Sequence, residues 1–479
     1  MDPVPKIVDK KPHVVFIPFP TQSHIKCMLK LARLLHQNDI YITFINTHTN
    51  HKRLVDSAGL EEAPGFWFKT VPDGLSSATD NGVKPTEAIT EIVAYLATNF
   101  FDCFLDVVSG LENPITCMVC DGFMTVTKAI DAAEKLKVPV MLFWTMAACG
   151  FMGFYQVKVL TEKEIIPLKD ESYLRNGYLD MEIDWIPGME GIRLKDLPEF
   201  TLATSSDDPM FRFFMGLAQE AHKVSHMIIH TFEELEARLV GEIKSIIPNV
   251  YTIGPLQLLL DQTTEKETNN RYSLWKEEPE CVQWLKTKEP NSVVYVNFGS
   301  LAIMSEQDLL EFGWGLVNSD HYFLWILRTD LVDGKPAIFP QELKEAINEK
   351  GFVGSWCSQE EVLNHPAVGG FLTHCGWGSI IESLSAGVPM LCWPSIGDQR
   401  TNCRQTCKEW EVGMEISRNV KRNEVEKLVR ALMEGLEGKI MRKKALEWKK
   451  MAEIATDSNG SSRLDTKNLA DEINRLSRN

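Results

Sequence analysis

Two doubly wound α/β domains, facing each other across one cleft, are predicted by three features of this sequence. Apolar runs alternate with amphipathic helical stretches, the pattern of parallel sheets covered on both faces. The alternation occurs twice, in sets separated by the polar stretch 257-QLLLDQTTEKETNNRYSLWKEEPE-280. A length of 479 residues exceeds one ordinary core and suits two.

The first set opens with 13-HVVFIPF-19, a buried strand. A loop follows, then a helix from about Ser23 that places Ile25, Met28, Leu29, Ala32 and Leu35 on one face. The next strand is 40-IYITFINT-47, and later ones are 115-ITCMVC-120, 138-VPVMLFW-144 and 226-HMIIHT-231. The second set runs through 293-VVYVNFGS-300, 322-YFLWIL-327 and 368-VGGFLTH-374, ending near 388-VPMLCWP-394. The expected division is a first domain over 1–254, a linker and surface loop over 255–290, and a second domain over 291–460. A terminal helix over 461–479 is expected to pack back on the first domain. In such an architecture the carboxyl ends of both sheets border the cleft where ligands bind.

Composition excludes several classes. A formal net charge of −16 disfavours nucleic acid and anionic membrane, which call for a basic surface. Eleven cysteines are an odd number without framework spacing, and Cys117-x-x-Cys120 lacks a second pair at zinc-finger distance. They read as buried thiols in a reducing compartment. The N-terminus MDPVPKIVDKKPH is too polar for a secretory signal. The most apolar stretch, Val138 to Gln156, is broken by Pro139 and two glycines, so it reads as a strand turning into a helix, not a membrane span. A cytoplasmic protein is expected, with the sequon at Asn459 serving as a turn.

The chemistry concentrates between Trp356 and Gln399. A strand ending at Thr373 runs into 374-HCGWGS-379, and a helix then continues to its glycine cap at Gly387. Such a turn exposes unpaired N–H groups and the positive helix end, a phosphate site. Ser379 adds a hydroxyl and His374 an imidazole N–H. Glu382, one turn on, can accept from ribose hydroxyls. Trp356 offers a face for a nucleobase, worth about 1–3 kcal/mol per stacked base in single-strand binders. Asp398 and Gln399 supply the acceptor and amide that sugar hydroxyls require. Taken singly, a glycine-bearing turn is common, Glu382 reads as a solvated helix charge and Trp356 as a core aromatic. Their joint spacing is what packing alone does not produce.

Two further residues suit proton transfer. His24, in 21-TQSHI-25, sits where the first strand gives way to a helix, and Asp121 ends the strand 115–120 at the same sheet edge. The helix end disfavours imidazolium before reaction, and a carboxylate partner favours it as a proton arrives. Alone, each reads as a helix-start or strand-end polar group. A nicotinamide site is excluded because Pro-Thr-Gln-Ser-His, not Gly-x-Gly-x-x-Gly, follows the first strand.

The segment from Trp356 to Gln399 resembles the 44-residue signature box of plant secondary-product UDP-glycosyltransferases, which also begins in Trp and ends in Gln. That resemblance implies two Rossmann-like domains of the GT-B type. It implies that Trp356 stacks on uracil, that the Cys357 backbone bonds its edge, and that Gln359 and Glu382 hold the ribose. His374, Ser379 and Ser300 would hold the diphosphate; Trp377, Asp398 and Gln399 would meet the sugar, a terminal Gln being associated with glucose. His24 and Asp121 match the family's base and its partner, with Ser23 standing in for a glycine at the helix N-cap, and Thr145 matches a Ser/Thr near the sugar. Gly378 departs from the pattern, which has Asn there.

The likeness covers essentially the whole chain and lies nearest the family-85 branch, which includes steviol glucosyltransferases. Supporting stretches are 13–36, 184–198 and 374–379. The implied activity is metal-free, inverting transfer of glucose from UDP-glucose to a hydroxyl or carboxyl of a small lipophilic plant metabolite. A diterpenoid is the first choice and a flavonol or other phenolic the second. Another UDP-sugar, or a binding-only homologue marked by Gly378, are the alternatives.

Overall fold

A computed structural model describes residues 11–74, 85–220, 223–262, 272–328, 331–332 and 336–478. The first sheet contains β1 (His13–Ile17), β2 (Tyr41–Thr47), β3 (Phe66–Val71), β4 (Cys117–Asp121), β5 (Val140–Trp144), β6 (His226–Ile229) and β7 (Asn249–Thr252). Its order is β3-β2-β1-β4-β5-β6-β7, every pairing parallel. The second sheet contains β8 (Val293–Asn297), β9 (Tyr322–Ile326), β10 (Gly351–Gly354), β11 (Val368–Thr373), β12 (Met390–Cys392) and β13 (Gly413–Glu415). It runs β10-β9-β8-β11-β12-β13, again all parallel. The fold is thus α/β, two Rossmann-like units.

The inner strands are those with continuous apolar runs, because both faces of a parallel sheet are covered. Four strands went unread in the sequence: β3, β7, β10 and β13. They are the four sheet edges, and their apolar runs are short: three residues in β3 (Phe66-Trp67-Phe68), cut off by Lys69 and Thr70, and at most two in the others.

Each sheet reverses its order once, between β1 and β4 in the first and between β8 and β11 in the second. A crevice opens beyond the carboxyl ends of the strands at such a point. The helix Gln22–His36, following β1, buries Ile25, Met28, Leu29, Ala32 and Leu35 completely.

The stretch read as linker and surface loop is structured in part. Leu256–Asp261 is a short helix burying Leu256, Leu259 and Leu260, and Tyr272 and Leu274 join the same apolar cluster. Its few leucines are too short a run to show periodicity. Positions 263–271 of that stretch lie outside the described residues.

An apolar cluster runs without a break from Trp144, Phe151 and Phe232 of the first unit to Cys375, Trp377 and Ile380 of the second. The indole N–H of Trp377 donates across it to the His230 carbonyl at 2.6 Å. The last helix, Ser461–Leu476, lies against β7: Asp465 accepts from the Thr252 N–H at 2.8 Å, and Leu469, Ala470 and Ile473 are buried in the first unit's core. No helix among the described residues is long and apolar enough to cross a membrane.

Candidate active site

β1 ends below the cleft, and Thr21 supplies the extended residue from which the next helix starts. Ser23 therefore lies inside the first turn, not at the N-cap position expected of it. The turn lifts His24 against the end of β4. His24 Nδ1 lies 2.8 Å from Asp121 Oδ2, and Asp121 Oδ1 accepts from the Phe123 N–H at 2.9 Å. Asp121 is 1% exposed, so its carboxylate is held from both sides and shielded from water. With Nδ1–H donated to Asp121, Nε2 is the ring nitrogen left to take a proton. Thr145, just past β5, is 2.9 Å from the same Nδ1. Resemblance assigned Thr145 to the sugar; here its hydroxyl contacts the His24 imidazole. Phe19 and Phe123 flank the imidazole, with centroids at 5.2 and 5.1 Å.

Across the cleft, β11 leads through Cys375 and Gly376 into the helix Trp377–Ala386. The first bond inside that helix runs from the Ile380 N–H to the Gly376 carbonyl, so the amides of Trp377, Gly378 and Ser379 face outward unpaired by it. His374 is wedged between two turns: a Cβ at either Gly299, which has φ +73°, or Gly376 would collide with its ring. Those glycines let the backbone close around the imidazole. Burial, reinforced by the Arg328 guanidinium, pushes the His374 pKa down to about 4, so the ring is neutral at pH 7. Ser300 follows Gly299 on the cleft wall.

Gln359 is the hub of the donor half. Its carbonyl accepts from Asn297 Nδ2 at 3.0 Å and from the Tyr295 hydroxyl at 3.2 Å. Its amide donates to Ser379 Oγ at 2.9 Å and to Glu382 Oε2 at 2.8 Å. Cys357 is buried, with Sγ 3.4 Å from the Tyr295 hydroxyl. Trp356 lies against Trp275, their centroids 4.7 Å apart at 30°. Asp398 precedes the helix Gln399–Arg404, accepts from Asn402 Nδ2 at 3.0 Å, and is raised by burial to about 6. The Gln399 carbonyl is engaged by its own loop, accepting from Ser395 N at 2.8 Å and Ile396 N at 3.0 Å. Trp377 is 3% exposed and borders the cleft with its N–H already committed.

All fourteen residues singled out from the sequence, Asp121 apart, line one cavity of about 820 Å³; Asp121 stands behind His24. The remaining wall is apolar on the first unit's side, with Phe19, Phe123, Met146, Phe213 and Phe214. Sequence reasoning missed Lys26, Lys30, Glu360 and His230, which also border it. Nothing local marks them: a lysine on an amphipathic helix reads as solvated, and only the opposite domain gives it a partner. Among the described residues, one group has metal-ligand geometry, the buried thiols of Cys375, Cys392 and Cys403. Cys375 belongs to the 374–379 turn itself, and Asn402 Nδ2 joins its carbonyl, at 3.1 Å, to the Asp398 carboxylate, at 3.0 Å.

The profile of the family described as UDP-glucoronosyl and UDP-glucosyl transferase matches residues 211–453. UDP-glycosyltransferase 85C1 of Stevia rebaudiana is 76% identical over the full length of both chains. A 7-deoxyloganetin glucosyltransferase of Catharanthus roseus is 49% identical, covering 95% of this chain and 94% of its own. Among solved structures, a UDP-glucose: anthocyanidin 3-O-glucosyltransferase in complex with UDP superposes with a TM-score of 0.83 at 25% identity, covering 98% of this chain and all of its own. With two facing Rossmann-like units, a shared cleft and relatives aligned from end to end, the chain belongs to the UDP-glycosyltransferase family and is a transferase of that family.

Proposed function

We propose that the enzyme moves glucose from UDP-glucose, with inversion, onto a hydroxyl or carboxyl of a small lipophilic acceptor, a steviol-like diterpenoid in the first instance. The observation that carries this reading is one cavity holding both halves of the chemistry. The His24–Asp121 pair lies under an apolar wall on one side, and the helix end with Ser379, His374 and Glu382 stands on the other. Its volume of about 820 Å³ is near the upper end of small-molecule sites, room enough for donor and acceptor together.

On a hydroxyl acceptor, His24 Nε2 takes the acceptor proton while the acceptor oxygen forms a bond to the anomeric carbon; a carboxyl acceptor, already ionised near pH 7, attacks without that transfer. The bond from that carbon to the diphosphate oxygen breaks, and UDP leaves with the electron pair. Asp121 stabilises the resulting imidazolium and keeps the ring oriented. The unpaired amides of Trp377, Gly378 and Ser379 meet the developing charge on the diphosphate, so no metal is assigned to that step. Trp356 carries the uracil, Gln359 and Glu382 the ribose, and Asp398 and Gln399 the glucose. The eleven thiols are free and nine are buried, in keeping with action in the cytoplasm.

A second reading, transfer to a flavonol or other planar phenolic, is favoured by the aromatic wall, where Phe123 meets Phe19 and Phe213 edge-on. The test is labelled UDP-glucose with a panel of diterpenoids and flavonols, with and without EDTA. Labelled diterpenoid glucosides formed in EDTA support the proposal. Product from flavonols alone selects the second reading. Donor binding without any product would make the protein a binding-only homologue.

A further inference from the structure

The helix Gln22–His36 reaches across the cleft with two lysines one turn apart. Lys26 Nζ lies 2.8 Å from Glu382 Oε1 and 2.5 Å from Glu360 Oε1, and Lys30 Nζ lies 2.5 Å from Glu360 Oε1. All three pairs join the first unit to the second. Glu382 is the carboxylate assigned to the ribose, and its other oxygen already accepts from Gln359. Exposed ion pairs contribute little, but here the two outer members are sheltered: the Lys30 and Glu382 side chains are 6% and 8% exposed, against 25% for Lys26 and 27% for Glu360. Two carboxylates this close cannot both stay ionised without cations between them.

We propose that Lys26 is a donor-positioning residue lent by the acceptor domain, which keeps Glu382 charged and aimed at the ribose hydroxyls and so couples donor binding to apposition of the two domains. The inference rests on the proposed ribose role of Glu382. Burial raises the Glu382 pKa most; Lys26 is the strongest opposing influence, Glu360 raises it further, and Lys30 lowers it from beyond Glu360. Three further titratable groups near the cluster, His230, Cys27 and Tyr295, are uncharged at pH 7, while the carboxylates of Asp121 and Glu277 stand farther off. His230 is pushed down to about 3 by burial, while Cys27 and Tyr295 are raised by theirs. Lys26 is thus the cation touching Glu382. A charged carboxylate accepts from both ribose hydroxyls, whereas a protonated one carries a hydrogen that competes with them.

The test is Lys26→Met, with Lys26→Gln as the second choice should methionine compromise folding. With one lysine left for two carboxylates, Glu382 takes up a proton. The donor KM should rise at least about tenfold, the loss of a charge-assisted hydrogen bond, while kcat changes less than about threefold. Because the defect is a proton on an acid, the variant's donor KM should fall again as pH rises, by a larger factor than the native KM does over the same range. Lys26→Arg should restore native behaviour. Glu360→Gln placed on Lys26→Met should recover part of the loss by removing the like charge. A donor KM and pH profile identical to native would overturn the proposal. So would a KM rise that neither pH nor Glu360→Gln relieves, since that describes a merely structural clamp. Calorimetric titration with UDP separates the underlying reading: if Glu382→Ala binds UDP as tightly as native protein, the ribose assignment itself fails. If Glu382→Ala weakens UDP and Lys26→Met does not, only the role of Lys26 fails.

Discussion

His24, the residue proposed as the base, has its orientation fixed twice, by Asp121 at 2.8 Å and by Thr145 at 2.9 Å from the same nitrogen. His24→Ala should cut turnover by about 10²–10⁴-fold and leave UDP affinity nearly unchanged, because the base acts only as the acceptor ionises. Turnover within tenfold of native in a steady-state assay would move the base elsewhere. Gly378 poses the opposite question, since it departs from the family's asparagine. It lies inside the helix Trp377–Ala386 without a positive φ, and a Cβ there would meet nothing within 4 Å. The possibility that glycine is needed for backbone strain is thereby removed. Gly378→Asn should fit, and it should shift the donor KM by no more than one neutral hydrogen bond, about 0.5–1.5 kcal/mol or three- to tenfold. A silent native protein made active by asparagine would contradict this.

The loop from Ser395 to Gln399 shows how an element constrains a side chain's role. Gln399 ties down the amides of Ser395 and Ile396 with its carbonyl, which leaves only its NH₂ group for the sugar contact proposed for it. Its two functions are separable by substitution. Gln399→Glu keeps an acceptor for the loop and removes the donor, so the preference for UDP-glucose over UDP-galactose should narrow while thermal stability holds. Gln399→Leu removes both, and it should also lower stability by about 1–3 kcal/mol through two unsatisfied amides. Unchanged donor ratios in competition assays with both variants would locate sugar selection elsewhere, with Asp398 the next residue to change.

For the whole molecule, histidines held neutral by their surroundings make stability pH-dependent, His230 and the half-buried His374 most strongly and His13 in the same direction. The His230 pKa is pushed down to about 3 and that of His374 to about 4. In the unfolded chain both return to about 6.5. Between those limits the unfolded chain binds protons that the native one refuses, so stability falls as pH falls, by up to about 1.4 kcal/mol per pH unit for each group. Asp398, raised to about 6, acts in the opposite sense between about pH 4 and 6 and offsets one of them. Urea unfolding at pH 7 and pH 5 should show native protein losing about 2 kcal/mol more than His230→Gln over that interval. Equal losses would mean that His230 charges freely in the folded state.

What the sequence determined by itself is what is written locally. Inner strands show as apolar runs because both faces are covered, and the donor half of the site shows because its residues lie within one contiguous segment, Trp356 to Gln399, built on a single strand-turn-helix. Edge strands, three to six residues long, carry at most three consecutive apolar residues and emerge only by pairing with a neighbour. Tertiary structure alone decided the contacts between distant positions. Thr145 meets His24 across 121 residues of chain, and Lys26 meets Glu382 across 356. Trp275 backs Trp356, and His230 sits in the cleft wall. The physical reason is that each such side chain is unremarkable on its own element. Its partner is set by how an apolar interface seats two separately formed sheets, and no local pattern encodes that seating.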